Sequence, residues 1–203
     1  MLRQVVFLVL AALAAAPARS GDAPGGRVLF ICTGNFFRSA FAEHYFNHLV
    51  AQNQKLPPGD PARKKLLWVA ESRGLDLAQL SPTQRAARMS AFTVARLKQL
   101  KVPVPLDAGA RPAHTPTLLT LPDLERCDRV IAMHDPSHRP MLRRFIERHK
   151  GRVRDPQALL ERVTYWNIAD VIPTLAIPLS VPQQAERALD AVQKAVDALF
   201  ASL

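Results

Sequence analysis

A chain of 203 residues with 48% hydrophobic and 22% charged content is long enough for one α/β domain with a full core and too short for two. Its 27 Lys and Arg against 17 Asp and Glu leave a formal charge of +10. That balance favours anionic partners, whether phosphorylated molecules, anionic lipid surfaces or nucleic acid, without choosing among them.

Residues 1–20 read as a secretory signal peptide. Arg3 precedes an uninterrupted apolar stretch from Val5 to Ala16, and small residues follow, with cleavage expected after Ala18 or Ser20. The apolar region is too short to span a bilayer as a resting helix. The expectation is an exported protein, periplasmic or secreted, with an uncleaved N-terminal membrane anchor as the alternative and a folded domain over 27–203. Nucleic acid is a rare partner outside the cytoplasm and is not expected. Of the two cysteines, Cys32 stands at a strand end before a Gly-Asn loop, a place suited to reactivity. Cys127, before an apolar run, reads as a small buried residue.

The domain opens on "RVLFICTGNFFRSAFAE", residues 27 to 43. Val28 to Ile31 predicts a buried strand, and Ser39 to about Gln52 an amphipathic helix. Residues 52 to 64 read as a loop. "LLWVAES", residues 66 to 72, reads as a second strand, and "SAFTVARLKQL" as a helix with Ser90 as N-cap. "DRVIAM" is a third strand and "SHRPMLRRFIERH" a basic helix, in which Pro140 suits the first turn or kinks it. "RVTYWNIAD", residues 162 to 170, is a fourth strand. Ala185, Leu189, Val192, Val196 and Leu199 recur at three and four residues, giving the last helix one apolar stripe. Strands alternating with helices predict an α/β three-layer sandwich of flavodoxin-like or Rossmann-like type: a four-stranded parallel sheet with helices on both faces.

In such a sheet, ligands bind beyond the carboxyl ends of the strands. Cys32 stands at one such end, and a loop running from strand to helix N-terminus suits a phosphate-like dianion. Gly34 permits a backbone conformation that a side chain would resist, and Asn35 tolerates left-handed angles. Arg38 offers a planar fork for two oxygens of an oxyanion, and the same positive environment favours the thiolate of Cys32. Cys-x5-Arg in this context therefore encodes nucleophile and anion binder together. His134-x3-His138 has metal-ligand spacing but no third ligand, and is read as a solvated pair.

"VLFICTGNFFRSAFAE" resembles the phosphate-binding loop of the low-molecular-weight protein tyrosine phosphatases, a family that shares its fold with certain arsenate reductases. "WVAESRG", "CDRVIAMHDPSHRPML" and "NIAD" before a final helix resemble later family segments, so the resemblance covers most of residues 27 to 203. It implies a cysteine-dependent phosphomonoester hydrolase working through a cysteinyl-phosphate, with Cys32 as nucleophile, Arg38 as phosphate binder and Asp170 as general acid. Thr33, Gly34, Asn35, Phe36, Phe37 and Ser39 would line the phosphate cradle, with Ser39 donating to the thiolate and Asn35 and Ser72 bracing the loop. The implied partner is a phosphorylated substrate, and neither metal nor other cofactor is required. Asp135, in an Asp-Pro pair, is the rival acid. Two departures stand out: Phe37 replaces a second loop cysteine common in the family, and Asp170-Val171-Ile172 replaces its Asp-Pro and aromatic residues. Phe36, Tyr165 and Trp166 are candidate aromatic walls, with buried core positions the expected home of the last two. The alternatives are an arsenate reductase, which would need Cys127 as resolving thiol, and a non-catalytic anion-binding member of the fold.

Overall fold

A computed structural model describes residues 25–53, 67–171 and 180–203. The proposed signal peptide, most of the loop after Gln52, and Ile172 lie outside the described residues. Four strands form one parallel sheet: β1 (Arg27–Cys32), β2 (Val69–Gly74), β3 (Arg129–Ala132) and β4 (Val163–Tyr165), in the order β2-β1-β3-β4. Among the described residues, seven α-helices surround it: α1 (Arg38–Asn53), α2 (Pro82–Ala87), α3 (Ala91–Gln99), α4 (Leu121–Arg126), α5 (Asp135–Arg148), α6 (Pro156–Glu161) and α7 (Val181–Ala201).

The period of two along β1 divides the core. Val28, Phe30 and Cys32 face a cluster built with Phe41, Phe46, Leu97, Val192 and Val196 from α1, α3 and α7. Leu29 and Ile31 face a second cluster with Leu124, Leu142, Ile146 and Leu159 from α4, α5 and α6. A strand buried on both faces is apolar throughout, hence the unbroken run in β1. The α7 stripe is buried at Ala185, Leu189, Val192 and Val196, the three larger side chains contributing about 1.5–3 kcal/mol each. Ser180 accepts from the Gln183 amide and starts α7 with a capping box.

The element bounds differ from expectation in specific places. Leu66, the expected start of the second strand, lies outside the described residues; the strand starts at Val69, because pairing with β1 begins at Arg27 opposite Val69 and Leu67 belongs to a short turn before it. The fourth strand ends at Tyr165 instead of Asp170, because Asn167 takes φ 54, a left-handed angle no strand sustains. Ser90 occupies the N-cap position of α3, but its hydroxyl caps nothing. Pro140 lies inside α5, beyond the first turn.

The strand order reverses direction between β1 and β3, so the crevice expected for a ligand opens at the carboxyl ends of those two strands. Cys32 ends β1, and the residues after β3 and β4 rise around it.

Candidate active site

The strand-to-helix turn from Cys32 to Arg38 is held in shape by one side chain. Asn35 is fully buried and takes φ 50, an angle asparagine accepts more readily than most residues. Its side-chain nitrogen donates to Ser72 Oγ at 2.7 Å and to Ser39 Oγ at 3.2 Å, and its side-chain oxygen accepts from the Thr117 amide at 2.9 Å. Its carbonyl lies 2.8 Å from His114 Nε2 and accepts from it. Ser39 Oγ accepts from Asn35, which leaves its own hydrogen free to point at Cys32 Sγ, 2.9 Å away. Ser72 in turn donates to Glu43 through a short contact. Asn35 therefore donates in two directions, one branch running through Ser72 to Glu43 and the other through Ser39 toward the sulfur. Burial raises the pKa of Glu43 above the usual carboxylate value, against the opposing bond from Ser72.

Among the described residues, the amides of Gly34, Asn35, Phe36 and Phe37 donate to no protein acceptor. Successive free amides between a strand and a helix form an anion-binding concavity. Gly34 is needed for space rather than for its backbone angle: a Cβ there would lie 2.8 Å from a Leu80 methyl. Gly74, at the end of β2, lets the turn approach closely, since a Cβ would stand 3.0 Å from the Thr33 carbonyl oxygen and 3.1 Å from the Asn35 nitrogen.

Arg38 is buried, 1% exposed. Its Nη1 donates to the Ile168 carbonyl at 2.6 Å and its Nη2 to Asp170 Oδ2 at 2.5 Å. Its Nε is buried and finds no partner. The Asp170 contact spans 132 positions of sequence and follows from the loop after β4. That loop turns at Asn167, and its Ile168 amide donates to the Met133 carbonyl at the end of β3. Asp170 is thereby brought to the same place as Cys32 and Arg38, at the rim of a cleft of about 350 Å³ lined by Phe36, Phe37, Leu80, Phe92 and Val171.

The other candidates fall elsewhere. Asp135 is tied to Arg139 at 2.5 Å and 2.9 Å and does not line the cleft. Trp166 packs on Phe30, with ring centroids 5.5 Å apart, and Tyr165 lies under the Arg139 guanidinium, so neither walls the cleft. The expected solvated histidine pair is corrected: His138 is fully buried. Its Nδ1 accepts from the His134 amide at 3.1 Å, which places its hydrogen on Nε2, 3.3 Å from Thr33 Oγ1. Burial, aided by the Arg38 charge, pushes its pKa down to about 3, so it serves as a neutral donor to the loop. No group of three or more metal-ligating side chains occurs among the described residues. Glu43, His114, Thr117 and His138 were not foreseen; each acts through a tertiary contact that leaves no local pattern.

Both cysteines are free and buried, and they lie at opposite ends of the sheet. The Asp128 amide donates to the Arg27 carbonyl at the start of β1, one residue after Cys127, whereas Cys32 ends that strand. At about 3.3 Å per residue the separation is about 16 Å, against the roughly 7 Å limit for Cα atoms in a disulfide.

No protein-family model matches the chain, and no curated protein matches it in sequence. Solved structures do. Wzb of Vibrio vulnificus, in complex with benzylphosphonate, is 14% identical with a TM-score of 0.58, over 88% of this chain and 99% of that one. The low-molecular-weight protein tyrosine phosphatase of T. tengcongensis is 24% identical, with a TM-score of 0.56 over 88% and 99%. YfkJ of Bacillus subtilis is 18% identical, with a TM-score of 0.58 over 91% and 96%. The chain has the flavodoxin-like fold of the low-molecular-weight protein tyrosine phosphatases.

Proposed function

We propose that the protein is a cysteine-dependent phosphomonoester hydrolase of protein tyrosine phosphatase type. The observation that carries this reading is that Cys32 and Asp170 line one cleft, with the Ser39 hydroxyl 2.9 Å from the Cys32 sulfur and the Asp170 carboxylate bonded to the buried guanidinium of Arg38 from 132 residues away. The fold supports it, since its neighbours include a named tyrosine phosphatase.

In this reading a phosphate monoester enters with its oxygens on the free amides of Gly34 to Phe37 and on Arg38. The unpartnered Nε and the adjacent Nη2 lie on one edge of the guanidinium, an edge that binds two oxygens at once. The substrate dianion takes Nη2 from Asp170 and frees the carboxyl to carry a proton. Cys32 attacks phosphorus, forming the S–P bond as the P–O bond to the leaving group breaks, and Asp170 protonates the departing oxygen. Water then attacks the cysteinyl-phosphate with Asp170 as base, releasing inorganic phosphate and the Cys32 thiolate. Ser39 and the loop amides stabilise charge throughout. The walls of Phe36, Phe37 and Phe92 favour a leaving group with apolar or aromatic surface.

Arsenate reduction with Cys127 as resolving thiol requires a disulfide that the sheet geometry does not allow. The apolar segment over 1–20 supports export as part of the same proposal. The test is rapid-mixing hydrolysis of p-nitrophenyl phosphate by the mature chain. A burst of nitrophenol equal to the enzyme present, absent in Cys32→Ser, is the expected result; no turnover of aryl, sugar or lipid phosphates by the intact chain would overturn the reading.

A further inference from the structure

Beside the cleft, on the other side of one turn, lies a second depression. The 3-10 turn Leu77–Gln79 is tied to the catalytic loop: the Leu75 amide donates to the Cys32 carbonyl at 3.0 Å and the Asp76 amide to the Thr33 carbonyl at 2.8 Å. Gln79 and Leu80 face the cleft, while Leu75 to Ala78 line a groove of about 780 Å³ completed by α4 and the carboxyl half of α5. Its floor is apolar, with Leu77, Phe145 and Leu118, the last 51% exposed. Its rim carries Arg144, Arg148 and Arg152, all exposed, and no carboxylate pairs with any of them among the described residues. The sole acid in the groove, Asp76, is already occupied by the Ala78 amide and the Gln79 side chain.

We infer that this groove is an exosite for the polypeptide flanking a phosphorylated residue, selecting acidic side chains beside an apolar anchor. The inference rests on the phosphatase reading and gives it a substrate class, a phosphoprotein. Charge complementarity fixes the sign of the partner, since three unpaired guanidinium groups repel basic sequence and attract acidic sequence. Concavity distinguishes a peptide from a membrane: an apolar floor recessed between arginines takes an inserted side chain, whereas a flat bilayer would reach only the rim. Adjacency supplies the register, because a chain whose phosphate lies over Cys32 crosses one turn to enter the groove.

The experiment compares a phosphotyrosine peptide flanked by Glu and Leu with its Lys-flanked counterpart, using p-nitrophenyl phosphate as reference, for the wild type and for Arg144→Gln/Arg148→Gln. Both substitutions are on exposed positions. The kcat/KM ratio of acidic peptide to p-nitrophenyl phosphate should fall about fivefold in the double variant and also with added salt, as expected for two exposed ion pairs. An unchanged ratio would overturn the exosite. Anisotropy of the labelled, unphosphorylated Glu-Leu peptide with Cys32→Ser separates this from failure of the phosphatase reading: salt-sensitive binding lost in the double variant supports the groove even without turnover, and no binding sinks it. Sedimentation with phosphatidylglycerol vesicles completes the test, and vesicle binding lost in the double variant without any peptide selectivity would mark a lipid surface and overturn the proposal.

Discussion

Asp170→Ala should weaken catalysis and strengthen phosphate binding at once. In the structure Arg38 Nη2 donates to Asp170 at 2.5 Å while Nε has no partner, so an oxyanion must compete with the carboxylate for one edge of the guanidinium. The pair is asymmetric, with side-chain exposure of 1% for Arg38 and 46% for Asp170. An ion pair with one partner in water contributes up to about 1 kcal/mol, so removing the competitor should tighten inorganic phosphate about fivefold. The same substitution removes the proposed acid and base, a loss of about 10²–10⁴ in kcat on substrates with poor leaving groups. The assay is competitive inhibition by phosphate of the residual p-nitrophenyl phosphate hydrolysis, measured beside kcat. Unchanged or weaker phosphate inhibition in Asp170→Ala would refute the competition, and an unchanged kcat on a phenyl phosphate with a poor leaving group would refute the acid assignment.

Asn35→Ala removes three side-chain hydrogen bonds at about 1 kcal/mol each and places alanine at φ 50, which costs about 1 kcal/mol more. Urea unfolding should show a loss of about 4 kcal/mol, with Asn35→Gly recovering about 1 kcal/mol of it; equal losses in the two variants would contradict the backbone argument. Gly74→Ala should impair activity far more than Gly34→Ala, because the added methyl meets the loop backbone at 3.0 Å and 3.1 Å in the first case and a movable Leu80 side chain in the second; steady-state kinetics of the two variants settle the order. Stability should also fall with acid. Burial pushes His138 to about 3 and His44 to about 4 from an ordinary 6.5, so the unfolded chain binds these protons first. The stabilisation is complete above pH 6.5 and is lost as pH falls toward 3, at up to about 1.4 kcal/mol per unit for each histidine. Glu43, with its raised pKa, opposes this slope, and unfolding curves of His138→Gln against the wild type should show a flatter profile between pH 6.5 and 4.5.

What the sequence made legible was what local pattern carries. The apolar run of β1, the Gly-Asn loop and the α7 stripe need only neighbours along the chain, and all three lie where the periodicity placed them. Asp170 was placed by resemblance, and the structure brings it to Arg38. The helices α2, α4 and α6, each of six residues, are too short to repeat a helical period and were not foreseen. Their starts are nonetheless encoded: Ser81 and Asp155 accept from amides of the first turn, and a proline follows each. His138 was misjudged because its burial depends on Thr33 and on the His134 amide, and neither contact can be inferred from a four-residue spacing. Gly34 was assigned to backbone freedom when its real constraint is the Leu80 side chain, a contact that exists only after folding.

The polarity of the parallel sheet explains the difference between the two thiols. All strands end on one side, so the groups that build the proposed site come from carboxyl ends: Cys32 after β1, Gly74 closing β2, His138 after β3 and Asp170 after β4. Cys127 precedes β3 and is therefore confined to the opposite end, where burial pushes its pKa up to about 11 and keeps it a protonated, inert thiol. Phe37, in the position where the resembling family commonly carries a second loop cysteine, instead packs its side chain against the core. A sulfenic acid formed on Cys32 would thus meet no thiol within the fold. Further oxidation toward the sulfinic acid would have no disulfide to divert it, so protection of the proposed nucleophile would rest on its burial, with 3% of Cys32 exposed.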